Sequence, residues 1–186
     1  MSLLLAFAVV GATAVVLVRQ NSSNAALLRA KAPNKGSIID GANGHVGDPV
    51  KDFCDTSYSN PQYPCADFVS DVLQDLGVPV PEGSVTEVNA AALLDWLVKQ
   101  GWTRYPKTGS YDINNPPTDR GFAGCVVFFI TPTGRVGHTG FIVSNPPMVV
   151  VDASGVQGKV VRREVNDPAL DERYDRIVIV CPPSAK

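Results

Sequence analysis

The sequence has few cysteines and histidines, and this scarcity excludes several kinds of protein. Four cysteines in 186 residues are too few for a fold held together by disulfides, and no Cys-x-x-Cys pair occurs. Two histidines give little support to a zinc site with four protein ligands. The cysteines are Cys54, Cys65, Cys125 and Cys181. One disulfide among Cys54, Cys125 and Cys181 is compatible with the sequence.

A strong excess of either charge is also missing. Sixteen Lys and Arg against eighteen Asp and Glu give a net charge of -2, which argues against a nucleic-acid partner bound through a basic face. Hydrophobic residues make up 45% and charged residues 18%, the balance of a globular chain. All eighteen acids lie in residues 36–186, whereas residues 1–35 carry four bases and no acid. The sequence therefore predicts an acidic domain preceded by an arm of different character.

The arm contains the longest uncharged apolar run of the chain, Leu3–Val18, which reads LLLAFAVVGATAVVLV. As a helix this run would span about 24 Å, slightly less than the roughly 30 Å of a bilayer core. We interpret residues 1–19 as a transmembrane or hydrophobic helix that contacts the lipid bilayer through residues 3–18. Two alternatives are a helix packed inside a large assembly and a signal peptide. The signal peptide would lack its basic start, since no base precedes Arg19.

The basic residues that follow the apolar run predict that the domain lies on the cytoplasmic side of a membrane, or on the equivalent side of a particle. Residues 20–49 are rich in Asn, Ser, Gly and Lys with little periodicity, and we interpret them as a linker. The folded domain is then expected over residues 50–186.

Within this domain, helical patterns come first and strand patterns follow. Residues 65–76 place apolar side chains at helical spacing, and Gly77 stops the helix. A second helix is predicted from Ser84, where Ser84–Glu87 matches a capping box, to about Gly101. Five β-rich runs follow, at residues 125–130, 138–143, 148–152, 159–165 and 176–180. This order predicts an α+β domain in which N-terminal helices pack on an antiparallel sheet.

Three residues of this domain could together carry nucleophilic chemistry. Cys65 stands in the first turn of a helix, where the partial positive charge of the helix N-terminus favours a thiolate. His138 opens a strand between two glycines and could take the thiol proton and return it to a leaving amine. Asp152 ends the next strand and could accept the other ring N–H. Each residue alone is more often structural, and only their combination favours catalysis.

The predicted hairpin sets a condition on this triad. Opposed residues of an antiparallel pair share a face, and so do their diagonal neighbours. A loop with an odd number of residues therefore places His138 and Asp152 on one face, whereas a four-residue loop does so only with a β-bulge. The rival histidine, His45, lies in a glycine-rich stretch with no rigid strand to hold it.

At these residues the sequence resembles the NlpC/P60 and CHAP group of papain-like cysteine peptidases and amidases. Cys65–Val69 is similar to the group's nucleophile motif at the start of a helix, and Gly137–Ile142 is similar to its histidine strand. Gly124–Phe129 is similar to a Gly-Asp-x-Val-Phe-Phe strand, and Val151–Ser154 falls where the group has its third polar residue. The resemblance covers roughly residues 54–180, in the order Cys, His, polar residue.

The sequence departs from the pattern of this group at several positions. Pro64 replaces an Asp before the nucleophile, and Cys125 replaces the Asp of the strand motif. Asp152 stands where NlpC/P60 enzymes commonly have His. The upstream tyrosine that assists the oxyanion site in the group corresponds to Tyr58 or Tyr63, and spacing does not decide between them.

The resemblance implies a papain-like α+β fold with Cys65, His138 and Asp152 as catalytic residues and no cofactor. It implies a hydrolase that cleaves peptide or amide bonds in peptidoglycan, of endopeptidase or N-acetylmuramoyl-L-alanine amidase type, with the stem peptide as substrate. Combined with the apolar arm, this predicts a membrane-anchored enzyme of the bacterial envelope, or a membrane-associated virion component with other subunits as partners. The alternatives are a non-catalytic structural protein on the same fold and a thiol acyltransferase.

Overall fold

The computed structural model describes residues 33–53, 64–80 and 89–183, and these residues form helices packed on an antiparallel sheet. The α-helices are α1 (Lys35–Gly44), α2 (Pro64–Asp75), α3 (Ala90–Lys99) and α4 (Pro168–Asp171), with a 3₁₀ turn at Val50–Asp52. The strands are β1 (Thr103–Tyr105), β2 (Tyr111–Asp112), β3 (Val126–Ile130), β4 (Val136–Ser144), β5 (Val149–Ser154), β6 (Lys159–Glu164) and β7 (Arg176–Cys181). The predicted α+β class is confirmed.

The sheet has the strand order β1-β7-β3-β4-β5-β6, and β2 also pairs with β7. Alternating side chains of its central strands divide the core into two layers. One layer holds Val126, Phe128 and Phe141 together with the buried faces of the helices. The other layer holds Val127 and Phe129 together with residues of β7. The five β-rich runs seen in the sequence correspond to β3–β7, with shifts of one or two residues at most ends.

Helix α2 follows the prediction from its apolar spacing closely. Its stripe of Phe68, Val69, Val72 and Leu73 is buried and packs toward β4 and β5. The chain turns away at Gly77, whose φ of +77° is a conformation that favours glycine. The N-terminus of the helix, with Cys65, lies where β5 finishes, because a Cβ atom on Gly155 would lie 4.0 Å from the ring of Pro64.

Helix α3 begins later than predicted. The Asn89 side chain caps it by accepting a hydrogen bond from the backbone N–H of Ala92 at 2.9 Å, so the helix starts at Ala90. The predicted start at Ser84 is therefore wrong, and the capping box Ser84–Glu87 lies outside the described residues. Asn89, which lies closer to the apolar stretch of the helix, provides the N-cap that the sequence pattern indicated at Ser84.

Helix α1 lies in the segment that the sequence indicated to be a linker. Asn34 caps it at the backbone N–H of Ser37, and the fully buried Ile38 and Ala42 join the helix-side core layer. Lys35 also donates from Nζ to the Gly121 carbonyl oxygen at 2.6 Å. The linker interpretation is therefore wrong for residues 33–49. Only two apolar residues, four positions apart, supply the fully buried face of this helix, a stripe too narrow to stand out among glycines and polar residues.

The apolar run of residues 3–18 lies outside the described residues. In the part of the chain that the structure describes, no helix is long and apolar enough to cross a membrane.

A disulfide joins Cys125 to Cys181, which flank the paired residues Val126 and Val180 of β3 and β7. This is one of the pairings that the sequence left open, and Cys54 lies outside the described residues. The cross-link ties two central strands of the sheet and leaves Cys65 as the free cysteine of the described part.

Candidate active site

Cys65 is the second residue of α2, and its side chain is buried with 5% of the residue exposed. Pro64 opens the helix, a position where a missing N–H costs no helical hydrogen bond. The first backbone N–H groups of a helix have no partner within it, and their dipoles favour a negative charge nearby. The local sequence thus places a thiol where a thiolate is stabilised and a backbone N–H can meet an oxyanion.

His138 and Asp152 are in direct contact, as the triad hypothesis requires. The Nε2 atom of His138 lies 2.8 Å from Oδ1 of Asp152, in an environment where Asp152 has no exposed surface. With Nε2 engaged by the carboxylate, Nδ1 is the ring nitrogen left for the Cys65 thiol, whose charge acts on this ring. The structure therefore brings Cys65, His138 and Asp152 together in that order.

The condition that the sequence set on the hairpin is met by a β-bulge. Residues 145–148 form a four-residue turn after the Ser144–Val149 pair, a register that would place Asp152 on the wrong face. The register shifts at Val143, so that Ile142 pairs with Val150. The extra residue restores the alternation, and His138 becomes a diagonal same-face neighbour of Asp152.

Gly140 allows β4 and β5 to approach closely enough for this diagonal contact. A Cβ atom at Gly140 would lie 2.9 Å from the Cβ of Asp152 and 2.7 Å from the carbonyl oxygen of Val151. Any residue other than glycine at position 140 would therefore clash with β5 beside the histidine and the carboxylate. This explains the second glycine of the Gly-His-Thr-Gly sequence.

The ring of His138 belongs to a cluster of three aromatic rings, in which Phe129 and Tyr174 also contact each other at a centroid distance of 5.7 Å. It packs against Phe129 at a centroid distance of 5.3 Å and stacks on Tyr174 at 5.9 Å with an interplanar angle of 16°. Burial opposes a charge on this ring. The negative charge of Cys65 and hydrogen bonds with Asp152 and Cys65 outweigh it and raise the pKa of His138 from 6.5 to about 9. The imidazole of His138 is therefore protonated at neutral pH.

Asp152 has a second cationic partner that the sequence reading missed. Arg163 on β6 donates from Nε to Oδ2 at 2.9 Å and from Nη2 to Oδ1 at 2.6 Å. Burial alone would raise the pKa of Asp152, but its hydrogen bonds and charge attraction to His138 and then Arg163 lower it overall. The buried carboxylate is therefore ionised and paired on two sides.

Tyr174 is the other residue of the site that the sequence did not single out. Its hydroxyl donates to the carbonyl oxygen of Gly137 at 3.2 Å, and burial raises its pKa, with the charge of Cys65 adding to the effect. No sequence motif marks it, because it lies in an irregular segment between α4 and β7. Tyr58 and Tyr63, the two candidates for the oxyanion tyrosine, lie outside the described residues.

His45, the rival histidine, has a different environment. It ends α1, with Nδ1 2.9 Å from Oδ2 of Asp48, and it packs edge-on against Phe53 and Phe68. These contacts give it a structural setting at the end of a helix. The expectation that this stretch lacks a rigid support was wrong.

A metal centre has no support among the residues described here. Within those ranges, no group of three or more His, Cys, Asp or Glu side chains could hold a metal ion. The chemistry available from the described side chains is instead that of a thiol with a proton carrier and an orienting carboxylate.

No protein-family model matches the chain, and no curated protein matches its sequence. Two crystal structures of an N-acetylmuramoyl-L-alanine amidase from Bacteroides uniformis ATCC 8492, at 1.07 and 1.15 Å resolution, are similar with TM-scores of 0.58. They are 11% and 12% identical, and the alignments cover 81% of this chain and 99% of the amidase. The crystal structure of Ly7917 has a TM-score of 0.44.

At such identities the likeness to the amidase shows a shared fold and nothing beyond it. Almost the whole of the amidase aligns, so the likeness concerns a complete domain and not an isolated motif. The resemblance to the NlpC/P60 and CHAP group stays a prediction from the sequence.

Proposed function

We propose that this protein is a cysteine hydrolase that cleaves peptide or amide bonds of peptidoglycan, with the stem peptide as substrate. The observation that carries the proposal is the hydrogen-bonded pair of His138 and Asp152, whose histidine is under the influence of Cys65 at a helix N-terminus. Support for the substrate comes from the motif resemblance and from the fold shared with an enzyme named as an N-acetylmuramoyl-L-alanine amidase.

The reaction follows from the positions of these side chains. The Cys65 thiolate attacks the scissile carbonyl carbon, and backbone N–H groups at the start of α2 stabilise the oxyanion. His138 donates its Nδ1 proton to the leaving amine as the C–N bond breaks, which leaves a thioester on Cys65. The neutral ring then takes a proton from water, whose oxygen attacks the thioester. The acid product departs, and the thiolate–imidazolium pair is restored.

The proposal includes a location, which rests on the sequence alone. We place the enzyme at a membrane through residues 3–18, in the bacterial envelope or as a virion component that opens the cell wall. Recovery of the full chain in the detergent-soluble membrane fraction is the expected result of cell fractionation. Recovery in the supernatant without detergent would remove the anchor from the proposal.

The test of the reaction is digestion of purified peptidoglycan by the full chain, with mass analysis of the soluble products. The wild type should release fragments whose masses identify one cleaved bond. Cys65→Ala should release none, because no thioester can form. The hydrolysis rate of His138→Gln should be lower than that of the wild type by at least about 100-fold, the scale of general acid–base catalysis. The matched control His45→Gln should hydrolyse peptidoglycan at the wild-type rate. Equal rates in the two histidine variants would refute the site.

A further inference from the structure

Arg163 is the one basic side chain that meets the Asp152 carboxylate in the described residues, apart from His138. Its Nε and Nη2 atoms approach the two carboxylate oxygens as a fork, at 2.9 and 2.6 Å. Oδ1 is shared, because it also accepts from Nε2 of His138 at 2.8 Å. Oδ2 faces the guanidinium alone among these partners. Two parallel hydrogen bonds from Arg163 thus fix the plane of the carboxylate that accepts from the imidazole.

Strand register explains why Arg163, and not its neighbour Arg162, has this role. Asp152 pairs with Val161 and Val150 pairs with Arg163, so Arg163 is a diagonal same-face neighbour of Asp152. Arg162 pairs with Val151 on the other face and is exposed. The two arginines therefore form a natural pair of variant and control, one residue apart on the same strand.

We propose that Arg163 is a positioning residue that holds the Asp152 carboxylate toward His138 and keeps it ionised when His138 gives up its proton. The proposal rests on the proposed role of His138 as the proton carrier. Arg163 acts through Asp152, since its described hydrogen bonds run to that carboxylate.

The physical reason is the cost of an unpaired buried charge. Asp152 has no exposed surface, so a neutral His138 would leave its carboxylate without a cation if Arg163 were absent. The histidine would then retain its proton to higher pH, because losing it would create that unpaired charge. Arg163 also repels the imidazolium directly. Removing Arg163 should therefore raise the pH at which His138 deprotonates.

The other charged or titratable groups around this pair come from several elements. Cys65 faces His138 from α2, and Tyr174 stacks on it from the segment before β7, where Arg173 also acts on Tyr174. None of these groups is substituted in an Arg163 variant, and Tyr174, whose pKa Arg163 lowers, is the one on which Arg163 also acts. A shift in the titration of His138 would therefore report the loss of the guanidinium.

The experiment follows both histidines of the full chain by NMR titration of their imidazole protons. Arg163→Gln keeps one hydrogen-bond donor and loses the charge. It should raise the His138 midpoint by about one pH unit, the low end of the effect expected for a neighbouring charge. His45, in the same sample, should titrate as in the wild type, and so should both histidines of the control Arg162→Gln. An unchanged or lowered His138 midpoint in Arg163→Gln would overturn the proposal.

A second variant separates the fork from the charge. Arg163→Lys keeps the charge but offers a single ammonium group, so His138 should titrate within about 0.3 units of the wild type.

The turnover number on soluble peptidoglycan fragments should fall about 10-fold in Arg163→Gln and about 3-fold in Arg163→Lys, with KM unchanged, since no substrate contact is lost. If Arg163→Lys turns over at the wild-type rate, the two-bond contact between Arg163 and Asp152 has no positioning role. This outcome decides the question even if Arg163→Gln does not fold. A wild type inactive on peptidoglycan would refute the proposed function, and the NMR titration would still decide on Arg163.

Discussion

Asp152 is the residue at which the sequence departs most from the resembled group, and in the structure it still contacts the histidine. Its carboxylate accepts from His138 Nε2 and from Arg163, in a position with no solvent exposure. A carboxylate there can orient the ring and stabilise the imidazolium, the same task that a neutral polar residue performs less strongly. Asp152 therefore holds the ring of His138 with a charge as well as a hydrogen bond.

Asp152→Asn should lower turnover strongly while the chain stays folded. The amide can present its NH2 group to the ring and favour the wrong tautomer, and it loses the charge that supports the imidazolium. We expect a loss of turnover of about 100-fold or more, and a smaller loss than in Cys65→Ala. Melting temperature and single-turnover rate are to be measured on the same samples.

The matched control is Asp48→Asn, which removes the carboxylate beside the other histidine, His45. It should leave the rate unchanged. An Asp152→Asn protein that is destabilised yet keeps its full rate per folded molecule would remove Asp152 from the site and leave a Cys65–His138 dyad.

At the scale of elements, the site depends on three connections: the N-terminus of α2, the bulged β4–β5 hairpin and the β5–β6 pair. The helix contributes Cys65, the hairpin contributes His138 and Asp152, and β6 contributes Arg163. Helix α1 supports this arrangement from outside, because Ile38 and Ala42 complete the core layer that carries α2. The segment that looks like a linker therefore belongs to the folded domain.

Ile38→Ala should destabilise the protein by about 2–5 kcal/mol, because a fully buried side chain is lost from a packed core. The adjacent Ile39 is only partly buried, so Ile39→Ala is the matched control and should cost clearly less. Denaturant unfolding of the two variants measures both values. Equal costs below about 1 kcal/mol would show that α1 is an accessory to the fold.

Periodic elements could be predicted from the sequence, and contacts between elements mostly could not. The apolar stripe of α2 and the β-rich runs of β3–β7 carry their own signal, and they placed Cys65, His138 and Asp152 on the right elements. Helix α1 has too narrow an apolar stripe, and Asn89 took over the cap of α3. Arg163 requires the register of β5 on β6, and Tyr174 lies in an irregular segment. Such positions are fixed only by tertiary packing.

At the scale of the whole molecule, the buried ion pair links stability to pH. The pKa of His138 is raised to about 9 in the folded protein from 6.5, so its charged form stabilises the fold. This contribution is fully present below about pH 6.5 and is lost as the pH rises through about 9. The free energy of unfolding of the wild type, compared with His138→Gln, should therefore fall across that window.

Denaturant unfolding of the wild type and of His138→Gln at about pH 6, 7.5 and 9.5 measures this difference. A difference that stays constant or grows with pH would mean that His138 is neutral in the folded protein at neutral pH. The protonated state assigned to His138 would then be wrong.

The same molecule offers a sharp test of the nucleophile, because Cys125 and Cys181 are joined and Cys65 is the free cysteine of the described part. The measurement is the residual rate of peptidoglycan hydrolysis by the full chain as iodoacetamide modifies it, with the modified fraction of each cysteine read by peptide mass. The rate should fall in proportion to modified Cys65 and reach zero when every Cys65 is alkylated, whatever the state of Cys54. Hydrolysis that continues at half its rate or more with Cys65 fully alkylated would contradict the account.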